Sequence, residues 1–336
     1  LKVNKLFARA AFFVTTIFCI AAHPSSAAQQ PAPQAATQGI TERWQLPPQA
    51  TNVIQLLYSG NSDSALTAAR QIETADAQNP LGYLLEAEID WWTIYCQNFE
   101  FRWNFLDVWH HPVEDAVQQS YLDLASRSIS LAESRLDQQE TAEMHLYAGM
   151  GYIMRGRLLG LRDDRRGTAR AGVKGREHLM RAHELDPGMA DAETGIGLYN
   201  YYVDTLSTMI KVLRFFMGIP GGSKKDGISQ LENAMENGQL TAVEARFYLA
   251  KSLRTYDREY ERAAELLEPL VREYPQNPVF AMMLGNMDAL LNRKERAAEN
   301  YHAAATMKIS DVACSQNVKK AAQEGLAALS ATENQP

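Results

Sequence analysis

Apolar and small residues recur along this chain in one local rhythm: a small residue, an apolar residue four positions on, and another three further. Six sets follow it: Ala65/Ala69/Ile72, Ala125/Ile129/Ala132, Gly175/Leu179/Ala182, Gly227/Leu231/Ala234, Ala263/Leu267/Leu270 and Ala297/Tyr301/Ala304. Offsets of four and three place each set on one helical face. The small lead residue lets a second backbone approach closely, and the two later residues fill the seam. Successive lead residues stand 60, 50, 52, 36 and 34 residues apart. A unit that recurs but cannot bury its own face predicts a stack of helical hairpins.

From about Thr51 onward the pattern is helical throughout, with no sustained strand-like alternation. Breaks are expected at Gly60-Asn61, Asn79-Pro80, His111-Pro112, Asp186-Pro187, Pro220-Gly221-Gly222 and Asn277-Pro278. Residues 311–332 predict a closing helix that buries Ala313, Val318, Ala321, Ala322, Leu326 and Leu329 and turns Lys319, Lys320 and Glu324 to water. Residues 333–336 form a short tail. A polar-backed last helix ends an array without an exposed apolar face.

The last two repeats carry a family resemblance. Leu284-Gly285 is followed by Ala297, Tyr301 and Ala304, and Leu249-Ala250 by Tyr260, Ala263, Leu267, Leu270 and Pro275. With a period near 34, this pattern resembles the tetratricopeptide repeat. Ala182-His-Glu-Leu-Asp-Pro187 and Ile72-Glu-Thr-Ala-Asp-Ala77 are similar to that family's helix endings. The resemblance spans about residues 50–310. Gly197-Leu-Tyr-Asn-Tyr-Tyr202 and Pro220-Gly-Gly222 resemble a subgroup of exported bacterial repeat proteins. The resemblance implies an all-α, right-handed solenoid of about six hairpins with a C-terminal capping helix. The extra length of the early repeats is expected in longer first helices and turns.

The N-terminus reads as a secretory signal over residues 1–27. Lys2, Lys5 and Arg9 precede an uncharged stretch from Ala10 to Ala22, and Ser25-Ser26-Ala27 supplies a cleavage site. Residues 28–49, rich in Ala, Gln and Pro, read as a flexible linker. Export to the periplasm or outside the cell is therefore expected, with no integral span after cleavage. Removing three positive charges takes the net charge from −7 to about −10, which argues against nucleic acid as a partner. Of the two remaining cysteines, Cys96 belongs to an early hairpin and Cys314 to the last segment. An extended array holds them apart, so no disulfide is expected between them.

Three segments stand out chemically. Trp91, Trp92, Trp103 and Trp109 fall within 19 residues and either pack against neighbouring hairpins or stack on a ligand. Residues 155–181 hold nine basic residues against three acidic ones, either a solvated helix face or an anion-binding surface. Residues 205–219 are apolar but too short to cross a bilayer.

No helical pair of histidines, nucleophile elbow or cysteine cluster occurs, so no metal, cofactor or catalytic residue is expected. By resemblance, the concave face lined by first helices binds a protein or peptide. Carrying over its groove positions gives Asp191, Thr194, Leu198 and Tyr201, then Glu244, Phe247, Lys251 and Arg254, then Val279, Met282, Asn286 and Ala289. Lys251, Arg254 and Asn286 form the expected polar anchor, with Phe247 and Tyr201 beside it. The alternative is a glycan or envelope polymer stacked on the aromatics of residues 91–109.

Overall fold

A computed structural model describes residues 44–98, 116–206, 211 and 219–333. The signal sequence, most of the linker, Trp103, Trp109, the His111-Pro112 break and most of the apolar stretch 205–219 lie outside the described residues.

Among the described residues the fold is an all-α solenoid of six hairpins and a closing helix. The pairs are α1 (Pro48–Tyr58) with α2 (Ser62–Ala75), α3 (Pro80–Asn98) with α4 (Ala116–Leu136), and α5 (Ala142–Leu161) with α6 (Arg165–Leu185). Next come α7 (Asp191–Thr205) with α8 (Lys224–Asn237), α9 (Ala242–Ser252) with α10 (Tyr260–Glu273), and α11 (Pro278–Leu290) with α12 (Lys294–Thr306). The closing helix is α13 (Val312–Glu333). A π-helical turn, Leu253–Asp257, extends α9 before the chain reverses.

Each triad lies on the second helix of its hairpin. All eighteen residues are buried except Ile72, which is half-buried. The helix ends follow local chemistry. Asn79 and Asn277 cap helices that begin with proline, each accepting from the backbone two residues on, at 3.0 Å. Thr141, Asp164 and Ser223 cap α5, α6 and α8, each accepting from the backbone three residues on. Gly60 turns α1 into α2 with φ of +80°, a left-handed conformation that suits glycine.

Three details differ from expectation. The packed body begins by Trp44, because Leu46 is buried and its N–H donates to Gln239 Oε1 at 3.1 Å. The extra length is shared by second helices, since α4 and α6 each run 21 residues. In α13 the buried face is shifted by one position at its start: Cys314, Val318, Ala321, Ala322 and Gly325 are buried, Leu326 and Leu329 are half-buried, and Ala313 is exposed.

The larger correction concerns the cysteines. Cys96 and Cys314 form a disulfide with Cα atoms 5.1 Å apart. They meet because the array bends back until its first hairpins touch its last. Tyr58 packs on Tyr274 and Phe280, with ring centroids 5.7 and 6.1 Å away. Asn277 Nδ2 donates to Tyr58 O at 2.9 Å. Ser310 N donates to Gly60 O at 3.2 Å, and Asn317 Nδ2 donates to Cys96 O at 2.6 Å. A linear stack has no reason to bring these residues together; a closed one requires it.

Candidate functional site

The first helices face inward, so closure presses the inner residues of α1, α3 and α5 against those of α7, α9 and α11. The centre is aromatic. Trp92 lies 5.0 Å from Phe247, 5.5 Å from Tyr58 and 5.9 Å from Phe280, measured between ring centroids. Tyr95 packs on Phe247 at 5.6 Å. Such edge and tilted pairings stabilise beyond the area they bury.

A charged knot sits beside this cluster. Arg157 of α5 donates from Nη2 to Glu88 Oε2 of α3 at 2.7 Å and from Nη1 to Glu244 Oε1 of α9 at 2.6 Å. Its Nε donates to the Tyr121 hydroxyl at 3.2 Å, and its guanidinium lies 4.1 Å from the Trp91 ring centroid. Trp91 Nε1 donates to the Tyr248 hydroxyl at 2.7 Å, and Trp92 Nε1 to Glu88 Oε1 at 3.0 Å. A planar guanidinium suits this role because it serves two carboxylates, a phenol and a ring face at once. Two carboxylates share one cation, so burial and then the charge of Glu88 push the Glu244 carboxyl up to about 7.

Glu244, Tyr248 and Lys251 follow one another along the inner stripe of α9. The Lys251 ammonium lies 5.1 Å from the Tyr95 ring centroid and 5.4 Å from that of Tyr248. Burial, with Arg254 and Arg157 nearby, pushes its pKa down to about 7. Burial also lowers the pKa of Arg254. A cavity of about 20 Å³, room for one water, lies between Val53, Leu57, Leu84, Met150, Glu88 and Glu244.

The residues expected to line a groove are thus placed as follows. Phe247 and Asn286 are fully buried and Arg254 is 6% exposed, while Lys251 is half-buried. Asn286 accepts from the Tyr301 hydroxyl at 3.0 Å. Tyr201 is buried apart from them and donates to Asp257 Oδ2 at 2.5 Å; Lys224 binds the same carboxylate. Asp191, another groove position, holds the turn before α9 by accepting from the N–H groups of Gln239, Leu240 and Thr241 at 2.8–2.9 Å. Trp91 is buried and Trp92 half-buried, and both pack against protein side chains.

The basic run of residues 155–181 is divided by the fold. Arg157 is taken into the knot, Arg162 donates to Gln118 at 3.0 Å, and Arg176 lies over Tyr199. Arg166, Arg170 and Lys174, four apart on α6, form an exposed stripe. Sequence reasoning missed the pairing of Glu88, Arg157 and Glu244. The sequence offers no clue, since Glu88 stands among Glu86 and Asp90, Arg157 beside Arg155, and the paired residues are 69 and 87 apart.

No family model matches the chain. One solved chain similar to it comes from a crystal structure titled as the APC/C hetero-tetramer Cut9-Hcn1, with 11% identity and a TM-score of 0.41. The alignment covers 83% of this chain and 49% of that one, so this chain spans about half its length. By its own geometry the protein is a helical-hairpin solenoid closed around a charged, aromatic centre.

Proposed function

We propose that this chain is an exported, non-catalytic tetratricopeptide-like scaffold that binds a protein or peptide partner. The observation that supports it best is the sealed register of the six triads. Each hairpin is clamped to the next, so the outer helices form a rigid wall that loses little entropy when a partner docks. The inner positions are occupied by the protein's own contacts, which directs docking to the outside. There the Arg166/Arg170/Lys174 stripe offers an acidic segment positive charge within a protein of net −7. The Cys96–Cys314 disulfide supports export, because such bonds persist in oxidising compartments.

The test is crosslinking in intact cells followed by mass spectrometry, repeated with the triple variant R166E/R170E/K174E. The reading expects a reproducible protein neighbour whose yield falls at least tenfold in the variant and falls as salt rises. A neighbour retained equally by the variant would remove the stripe from the proposal. Recovery of polysaccharide in place of protein would overturn it.

A further inference from the structure

We propose that His145 and His178 form a site for one divalent transition-metal ion of the copper(II) or nickel(II) class, held through their two Nδ1 atoms. The residues are 33 apart in sequence and come from α5 and α6, so a search for paired histidines on one helix passes over them. In the fold the two Nδ1 atoms stand 3.0 Å apart. Each ring's other nitrogen faces a carboxylate: His145 Nε2 lies 3.2 Å from Glu140 Oε1, and His178 Nε2 lies 3.7 Å from Glu133 Oε1. Converging ring nitrogens backed by carboxylates on the far side are the arrangement that metal-binding histidines adopt, because the carboxylate fixes the tautomer and makes the ligand more basic.

The surroundings hold these groups in place. Arg181 grips Glu140 through Nε and Nη2 at 2.7 and 2.9 Å. Tyr152 stacks on His178 with centroids 5.7 Å apart and donates its hydroxyl to Glu133 at 2.8 Å. The two histidine side chains are 13% and 15% exposed, so solvent reaches the site.

The protons balance. Without metal one Nδ1 donates to the other; in the tautomer that places the His145 proton on Nε2 toward Glu140, the His145 Nδ1 accepts from Nδ1–H of His178. On binding, the Nδ1 proton of His178 leaves to solvent and Nε2 takes one up on the side that faces Glu133, 3.7 Å away. No net proton is gained or lost in that exchange, and both Nδ1 lone pairs are then free to coordinate the ion. With metal–nitrogen bonds of ~2.0–2.1 Å, a 3.0 Å separation subtends an angle of roughly 90–100°, the cis angle of square-planar or octahedral coordination. A tetrahedral ion needs the nitrogens ~3.3 Å apart. Among the described residues no group of three or more histidine, cysteine or acidic side chains is arranged around one point, so water completes the coordination.

The test is copper(II) titration of the full chain followed by electron paramagnetic resonance. The proposal expects a first copper(II) equivalent coupled to two imidazole nitrogens, which nickel(II), the weaker binder at such a site, displaces only in large excess. That signal is lost in H145A/H178A, whose folding is checked by circular dichroism, and its binding weakens about tenfold in Glu133→Gln. Should the double variant fail to fold, His178→Gln must reduce the coupling to one nitrogen. An unchanged spectrum in the variants would assign the copper to other histidines and overturn the proposal, as would a wild-type chain that retains no copper.

Discussion

Tyr58, at the end of the first helix, stacks on Phe280, at the start of the eleventh, with ring planes 26° apart. The contact joins the two ends of the repeat array, and the Cys96–Cys314 bond reinforces it across 218 residues. In the chain-entropy account a loop of that length restricts the unfolded state by about 5 kcal/mol. The variant C96S/C314S is therefore expected to lose about 2–5 kcal/mol relative to the oxidised protein. Urea titration without reductant measures the difference. Equal midpoints would mean that the bond adds nothing to closure.

Arg157 holds three inner helices through two carboxylates, so its removal leaves both without their cation. Arg157→Met is expected to cost about 3–5 kcal/mol. Adding Glu88→Gln and Glu244→Gln should recover part of that loss, because the uncompensated charges are then gone. A thermal or urea comparison of the single and triple variants decides this.

Lys251 and Glu244 act with opposite sign on stability. The folded Glu244 carboxyl titrates near 7 and its unfolded counterpart near 4.5, so the folded state holds more protons between these values. Its contribution therefore falls as pH rises through that window. Lys251 titrates near 7 when folded and 10.5 when unfolded, so the unfolded state holds more protons from pH 7 to 10.5. Stability is expected to rise with pH in that range. In Lys251→Met this rise should flatten, as read from urea midpoints at about pH 7, 8.5 and 10.

Two glycines separate close packing from open space. A Cβ on Gly227 would lie 2.6 Å from Gly197 O and 2.8 Å from Tyr201 N, so Gly227→Ala must force α7 and α8 apart. A cost of about 1–3 kcal/mol is expected. On Gly172 the nearest atoms are on the Tyr199 ring at 3.8 Å, and the residue is mid-helix. Gly172→Ala is expected to stabilise by up to ~1 kcal/mol. Melting temperatures moving in opposite directions would check both.

The hairpins and their inner faces are legible in the sequence because they depend on local spacing. Gly175 and Gly227 announce close helix contacts, and Asn277-Pro278 announces a helix start. Closure is not legible, since it depends on the small angle between successive hairpins summed over six of them. The same limit explains the groove. Phe247 meets Trp92 and Tyr95 across the centre and Asn286 meets Tyr301 of its own hairpin, and periodicity names neither partner. Cys96 and Cys314 are set apart by the same missing quantity. His145 and His178 escape notice because they belong to different helices.

Closure also changes how such a molecule comes apart. An open array can fray one unit at a time, since each repeat answers only to its neighbours. Here the first and sixth hairpins depend on one another, so losing either removes support from both. The chain is expected to melt in a single cooperative step and to fold slowly for a helical protein, because its decisive contacts span most of its length. For the same reason a seventh hairpin has nowhere to go: duplication, the ordinary route by which repeat proteins lengthen, would pull Gly60 away from Ser310.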